Sequence, residues 1–531
     1  MSITLNRRDF LNATAGAIGA AALAAGGASF AMADEAPAAA ATWSWELPAE
    51  PIDDSEIVET IETEVLVVGM GIAGVSAAFM ATQEGAQVTI LEKTPTFQCR
   101  SSHIGAINSQ IQKELGFEFD PAQVCGDLTR FQGGYVQQRL IRMYLDNSAW
   151  AVDYACELGR EAGYEPQLLQ RGPEAITTNN PDYREYNTIH VPAESNTNLI
   201  NIMLEKSPSL DIHYETPAVQ LIVEDGKCLG AIAQNADGEY IKVLASKGVV
   251  MATGDYAGNP EMMKAWAHIG NYNTGVLYGP SGGNMGDGHR MMIQAGCGMQ
   301  KSPHAPMVHC LMGANMSPNP WLRVNKYGQR YENEDCPNAQ VSYGSFMQPG
   351  GKAWCIWDGE WFDKVRKQNF GFGRNVPAED GEEAYAATME SNIERGLTLK
   401  ADTLEELAEL MEVPVEKFLA TVERYNEMCA AGVDVDFGKL PCNLSSVDTP
   451  PFYASKIVGP LLVMLGGADV DEHLRVLDTE GNVIENLYAI GNCSGNYYSV
   501  DYPAIIGGMS HGRCLTTGYL LGAALAKGEI V

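Results

Sequence analysis

An apolar strand that runs straight into closely spaced glycines and then into a helix constrains this chain more than any other feature. The run VLVVGMGIAGVSAA puts Gly69, Gly71 and Gly74 directly after Val65–Val68 and at the mouth of a helix whose first turn carries Ile72 and Ala73. The three glycines answer to different needs. Gly69 permits the tight turn, Gly71 lets the backbone approach a diphosphate, and Gly74 lets helix and strand pack closely, while the helix N-terminus favours the ligand's charge. A G-x-G-x-x-G run alone is a weak signal. Here the next strand, Gln87–Leu91, ends in Glu92 and Lys93, where an acidic side chain takes the ribose hydroxyls of a dinucleotide. Strand, glycine turn, helix and second strand open a βαβ unit, so the expected fold is α/β, a Rossmann-like dinucleotide-binding domain.

With 531 residues and 45% hydrophobic content the chain can bury a full core and fill two or three domains. Asp and Glu number 67 against 35 Lys and Arg, a formal net charge of -32, and such a surface repels phosphate backbones and anionic headgroups. Nucleic acid is therefore excluded as a partner, and a small dicarboxylate would not be steered in. The first residues, Asn6-Arg7-Arg8-Asp9-Phe10-Leu11, then a Gly/Ala-rich apolar stretch and Ala31-Met32-Ala33, read as a twin-arginine export signal over residues 1–33, cleaved after Ala33. Residues 34–60, rich in Ala, Pro and acidic side chains, read as a linker. Residues 61–257 and 452–531 are assigned to the cofactor domain. Residues 258–451 form an inserted α+β capping domain with a helical pair at Leu404–Met411 and Val415–Met428. Twelve cysteines are scattered with no C-x-x-C pair, so no metal site is expected; an iron–sulfur cluster built from distant residues, and disulfides, stay open.

Two further apolar strands run into glycine turns, Val249-Val250-Met251-Ala252-Thr253-Gly254-Asp255 and Asn486-Leu487-Tyr488-Ala489-Ile490-Gly491-Asn492. Together with Asn284-Met285-Gly286-Asp287-Gly288 they resemble the glycine turns of the fumarate reductase and succinate dehydrogenase flavoprotein family, over nearly the whole body. The resemblance implies FAD. It places Thr253, Gly254, Asp287, Gly491 and Asn492 against the cofactor, and packs the segment Ser101-Ser102-His103-Ile104-Gly105-Ala106-Ile107-Asn108 on the flavin, with Ser101, Ser102, Gly105 and Ala106 as contacts. Val219, Gly507 and Gly508 complete the expected set. Some members attach FAD through a histidine in this region, but the spacing from His103 to Asn108 is shorter here, which implies non-covalent FAD with His103 as a contact.

The segment Gly328-Gln329-Arg330-Tyr331-Glu332-Asn333-Glu334 resembles the G-x-R-F-x-N-E segment of flavin-dependent fumarate and urocanate reductases. The match implies Arg330 as proton donor fed by Glu334 or Glu332, with Asn333 and Tyr331 toward the substrate. The family's carboxylate-gripping residues are missing: the corresponding stretches read Pro306–Leu311, Leu461–Gly467 and Ala504-Ile505-Ile506-Gly507-Gly508, with Ile505 among the substrate contacts. A buried dicarboxylate left unpaired costs several kcal/mol, so fumarate and succinate fit poorly. The tail Asp501-Tyr502-Pro503 with Gly507-Gly508 is similar to the end of 3-ketosteroid dehydrogenases, which implies that Tyr502 hydrogen-bonds a substrate carbonyl.

These readings converge on an exported, FAD-dependent reductase of an uncharged, carbonyl-activated alkene, an enone or an unsaturated lactone. It is similar in this to reductases of cardiac glycosides. Electrons would come from an external donor, a membrane-bound cytochrome in anaerobic respiration. Two alternatives stand beside it: ketosteroid desaturation, and a non-catalytic flavoprotein that carries electrons. Trp321, Tyr331, Met316 and Tyr498 are candidates for the substrate pocket.

Overall fold

The computed structural model describes residues 43–169, 186–277, 282–308, 319–335, 338–368, 381–503 and 505–531. The expected signal peptide, Met316, residues 309–311 and Ala504 lie outside them. The chain divides after Leu47; the described part of the first unit is a 3-10 turn at Ser44–Glu46, and residues 48–531 form the body.

The body opens on a 3-10 turn, Asp54–Glu56, which Asp53 caps by accepting the Ser55 amide at 2.9 Å. Strand β1, Ile57–Val68, begins four residues ahead of Ile61, inside the segment assigned to the linker. The β-branched residues Ile57, Val58, Thr60 and Ile61 suit a strand, and Ile57 and Thr60 pair with Tyr240 and Lys242. The sheet continues with β2 (Val88–Leu91), β3 (Asp211–His213), β4 (Ala218–Glu224), β5 (Lys227–Gln234), β6 (Tyr240–Met251), β7 (Arg475–Leu477) and β8 (Val483–Ala489). β1 lies parallel between β2 and β6, β3 extends the parallel set beyond β2, and β8 lies parallel to the end of β6. β4, β5 and β7 are antiparallel additions.

Register sets the place of the site. Val68 is opposite both Leu91 and Met251, and Met251 is opposite Ala489, so the carboxyl ends of β1, β2, β6 and β8 finish at one level. Ligands of open α/β sheets bind outside such strand ends. The helix Ile72–Gln83 leaves that edge and packs against the closing helix Met509–Lys527. Gly69 has φ +101 and a side chain there would meet the Ala252 carbonyl oxygen at 2.6 Å; at Gly74 it would meet the Gly69 carbonyl oxygen at 2.0 Å. Both positions therefore need glycine for the turn and the close packing read from the sequence.

The second layer is a four-stranded antiparallel sheet in the order Leu322–Asn325, Ala353–Trp357, Phe452–Lys456, Thr398–Ala401. Alternation divides its side chains: Val324, Trp354 and Ile356 face one core with Phe418 and Tyr425, and Cys355 and Trp357 face another with Trp321 and Trp361. The expected helical pair covers the first face as Leu404–Leu410, capped by Thr403, and Val415–Ala431. Phe452–Lys456, assigned from sequence to the cofactor domain, is the third strand of this small sheet. Conversely the helix Asp287–Gln294, assigned to the cap, packs on β4 of the large sheet. A short ribbon pairs Ala305–Val308 antiparallel with Leu461–Leu465. Among the described residues no helix is long and apolar enough to cross a membrane.

Candidate active site

A cavity of about 950 Å³ opens at the carboxyl edge of the large sheet. Its first part is built by the glycine turn: Gly69, Gly71, Ile72 and Ala73 line it, and a side chain at Gly71 would meet nothing within 4 Å. Glu92 is buried at the end of β2 with its carboxylate oriented by three donors, the Met70 amide at 2.8 Å and the Thr94 amide and hydroxyl at 2.9 and 2.6 Å. A carboxylate fixed this way is pre-aimed for a pair of ribose hydroxyls. Lys93 and Asp287 line the cavity as expected and join each other at 2.6 Å, with the Lys93 ammonium also 2.8 Å from the Gly282 carbonyl, so that the strand end and the helix Asp287–Gln294 are clasped across the cavity.

Ser101, Thr253, Gly254, Gly491, Asn492 and Gly508 also line the cavity, as the sequence leads one to expect. Gly74, Ser102, Gly105, Ala106, Val219 and Gly507 do not; of these, Gly105 and Gly507 sit behind the lining, where the Gly105 amide donates to the Gly508 carbonyl at 2.8 Å and the Gly507 carbonyl accepts from Thr188 at 2.9 Å. Asn284, 2% exposed, faces the cavity with neither amide atom partnered. An orphaned buried amide beside a glycine turn and an oriented carboxylate suits a large polar ligand, and FAD fits these residues. Among the described residues no cluster of His, Cys, Asp or Glu is arranged to hold a metal.

The far end of the cavity has a different character. Met307 from one strand of the short ribbon and Leu462 and Val463 from the other form an apolar wall. These belong to two of the three segments that would carry carboxylate-gripping residues, and the two pair with each other. Tyr502, 4% exposed, also lines the cavity. Its hydroxyl accepts from the Ser510 amide at a long 3.4 Å, which leaves its own proton to donate, and burial pushes the phenol up to about 12. His511 is held neutral, its pKa lowered by burial to about 4; Nδ1 lies 3.0 Å from the His103 carbonyl and so carries the proton. Arg100 lines the cavity as well, 3.4 Å from Asp255 and from the Leu462 carbonyl.

Behind Tyr502 the structure buries a further carboxyl. Asp501 is 5% exposed; its Oδ1 lies 2.7 Å from the Tyr343 hydroxyl and 2.7 Å from the Tyr502 amide, and its Oδ2 has no partner. Burial pushes this acid up to about 7. Arg513 is also buried, between the rings of Tyr497 and Tyr498 at 4.8 and 4.9 Å, donating to the Asn492 side chain at 3.2 Å. Sequence reasoning missed Arg100, His511, Arg513 and Asp501. His511 and Arg513 had a visible signal, because Ser510-His511-Gly512-Arg513 follows the Gly507-Gly508 turn at a helix mouth.

The residues expected to react from the cap stand elsewhere, and the expectation needs correcting in its geometry. Arg330, Glu334, Asn333 and Tyr331 do not line the cavity, nor does Ile505. Arg330 grips Glu334 at 2.8 and 2.7 Å and Asp434 at 3.0 and 2.7 Å, between the rings of Tyr425 and Phe437. Burial works against its charge, but the two carboxylates outweigh that and hold the guanidinium more firmly protonated than in water, which makes it a poorer acid. Lys439 approaches Glu334 at 3.3 Å from the other side, Asn333 donates to the Phe437 carbonyl at 3.1 Å, and Tyr331 packs with the tryptophan-rich core. This is an ionic knot that ties the loop after the helix Val415–Ala431 to the small sheet.

A profile described as FAD binding domain matches residues 64–503. The chain is 28% identical over 473 residues to the vinyl phenol reductase of Lactiplantibacillus plantarum, covering 83% of this chain and 92% of that one. It is 26% identical over 541 residues to the digoxin reductase of Eggerthella lenta, covering 93% of each. The solved 3-ketosteroid-Δ4-(5α)-dehydrogenase of Rhodococcus jostii RHA1 superposes with a TM-score of 0.70 at 22% identity, over 90% of this chain and 100% of that one, a likeness of fold. Given the glycine turn, the oriented Glu92 and a match across most of its length, the chain belongs to the FAD binding domain family and is an FAD-dependent oxidoreductase acting on CH–CH bonds, related to the fumarate reductase and 3-oxosteroid dehydrogenase flavoproteins.

Proposed function

We propose that this protein reduces the activated carbon–carbon double bond of an uncharged, largely apolar substrate, an enone or unsaturated lactone of steroid size. The observation that carries the reading is the wall of Met307, Leu462 and Val463 in the same cavity as Tyr502: the wall presents no charge to a dicarboxylate, while the phenol offers a proton to a carbonyl oxygen. Bound FAD, once reduced, supplies the hydride. Tyr502 holds and polarises the carbonyl, so that charge arriving with the hydride is drawn toward that oxygen. The apolar wall excludes water and orients the ring system. Relatives named as reductases of vinyl phenol and of digoxin support an alkene as substrate.

Export through the twin-arginine route, which rests on Arg7 and Arg8, and an external donor, a membrane-bound cytochrome, complete the proposal. The test is anaerobic reoxidation of the reduced, FAD-loaded protein by fumarate, urocanate, a cinnamate, 4-vinylphenol, a steroid enone and a cardenolide lactone. Rapid reoxidation by the steroid enone and the cardenolide lactone is the expected result. Turnover of fumarate would overturn the apolar reading, and oxidation of a saturated ketosteroid by the oxidised, FAD-loaded protein, in place of alkene reduction by the reduced one, would favour the desaturase.

A further inference from the structure

Arg323, Arg330 and Lys439 are cations in buried places, and each lies on a glutamate: Arg323 on Glu332 at 3.0 Å, Arg330 and Lys439 on Glu334 at 2.7 and 3.3 Å. Arg513, 1% exposed, is buried without one. No carboxylate pairs with it among the described residues, and the helix Met509–Lys527 that carries it has no acidic side chain in its first turn. The ionisable groups around it are Tyr497, Tyr498 and Cys514, and burial raises all three, so none is ionised at neutral pH. Its Nε has no partner among the described residues. The faces of the two tyrosine rings attract the charge but do not neutralise it. A guanidinium does not give up its proton, so this cation is stranded in the protein alone and calls for an anion.

Its bond to Asn492 shows where that anion lies. Arg513 donates to Asn492 Oδ1 at 3.2 Å, and since an arginine side chain only donates, the oxygen of that amide must face it. The Nδ2 donors of Asn492 are thereby turned away from Arg513, on a residue that lines the cavity. Gly491 fixes the place within the cavity. A side chain there would meet the Ala73 Cβ at 3.1 Å, and Ala73 belongs to the first turn of the helix Ile72–Gln83, whose N-terminus favours a diphosphate. We infer that the counter-charge of Arg513 is the diphosphate of bound FAD. Arg513 does not line the cavity and acts through Asn492: it fixes the amide so that Nδ2 is offered to the cofactor, and it adds a positive charge behind those donors. It is a positioning residue for FAD retention, whatever substrate the flavin reduces.

The test uses the full-length protein, FAD-loaded and as apoprotein stripped by dialysis against bromide, for wild type, Arg513→Met, Arg513→Lys and Asn492→Asp. Arg513→Met removes a stranded charge from the apoprotein and a partner of the cofactor from the loaded protein, so the two forms are expected to respond differently. The apoprotein is expected to melt at or above the wild-type temperature, and FAD to bind about 10- to 100-fold more weakly by fluorescence quenching. Arg513→Lys keeps the charge and is expected to keep most of the affinity. Asn492→Asp supplies the missing carboxylate, and is expected to raise the melting temperature of the apoprotein while weakening FAD. ADP carries the diphosphate without the flavin; at millimolar concentration it is expected to protect the wild-type apoprotein against melting far more than Arg513→Met. An Arg513→Met apoprotein that melts below wild type by as much as its FAD-loaded form does would make Arg513 a strut between two rings and overturn the inference. Equal protection of both by ADP, or none of the wild type, overturns the diphosphate as the counter-charge. Should Arg513→Met fail to fold, Asn492→Asp decides, because undiminished FAD affinity in that variant overturns the inference by itself.

Discussion

Arg330 and Glu334 are joined by two parallel hydrogen bonds of 2.8 and 2.7 Å in a place where neither side chain is more than 5% exposed. Four residues apart in sequence, they close a loop on itself and then hold Asp434, 104 residues away. Breaking a buried pair by removing one partner costs about 3–5 kcal/mol, because the other charge is stranded. Arg330→Met is therefore expected to lower the unfolding free energy by that amount while the reoxidation rate per bound FAD stays at the wild-type value. Denaturant melts and flavin-normalised kinetics check both halves, and a collapse of the rate in well-folded protein would return Arg330 to the chemistry.

Glu92 does two things at once, satisfying the Met70 and Thr94 amides and presenting an acceptor to the cofactor. Glu92→Ala removes both. A hydrogen bond to a charged group contributes about 1.5–3 kcal/mol, so FAD is expected to bind roughly 10- to 100-fold more weakly to the reconstituted apoprotein. Fluorescence quenching on titration with FAD reads this directly.

Two buried histidines set an acid limit on stability. His190, between the Ser109 hydroxyl at 2.6 Å and the Thr188 carbonyl at 2.8 Å, has its pKa lowered by burial to about 4, and burial lowers His304 to about 3. In the unfolded chain each takes a proton near pH 6.5. Their neutral forms favour the folded state fully above that pH, and the advantage is lost as pH falls from about 6.5 toward the folded values, by roughly 2 kcal/mol each at pH 5. Melting temperature is expected to drop steeply below pH 6.5, and His190→Asn to flatten the slope.

Asp501 works in the opposite direction. Its folded pKa, about 7, stands above the ordinary carboxylate value, so what the protonated form contributes is present at low pH and lost as pH rises through 7. Asp501→Asn cannot ionise and is expected to melt higher than wild type at pH 8 by an amount that shrinks toward pH 5. A melting temperature below wild type at pH 8 would mean that the carboxylate is welcome where it lies.

The cofactor half of this site was legible in the chain because its requirements are local. Gly69 needs a positive φ, Gly74 a missing side chain, and Glu92 a fixed distance along the next strand, and each leaves a mark within thirty residues. The reacting half is assembled across long separations. Met307 and Val463 meet from strands far apart in the sequence, a pairing that short-range periodicity cannot flag. Arg330 shows the reciprocal: its segment carries a recognisable spelling, yet its partner Asp434 lies on a loop whose approach only the fold reveals. The domain boundary at Phe452 slipped likewise, since an apolar strand does not say which of two sheets it will join.

The ribbon that pairs Met307 with Val463 has a consequence for how this pocket changes over time. Two stretches more than 150 residues apart share one hydrogen-bonded ladder, so a substitution that alters the tilt of one strand moves the other with it. Substrate preference is then inherited as a unit: a chimera that borrows one strand from a relative with a charged pocket and keeps the other would misalign both. Drift toward a new substrate is expected to proceed by paired exchanges on the two strands.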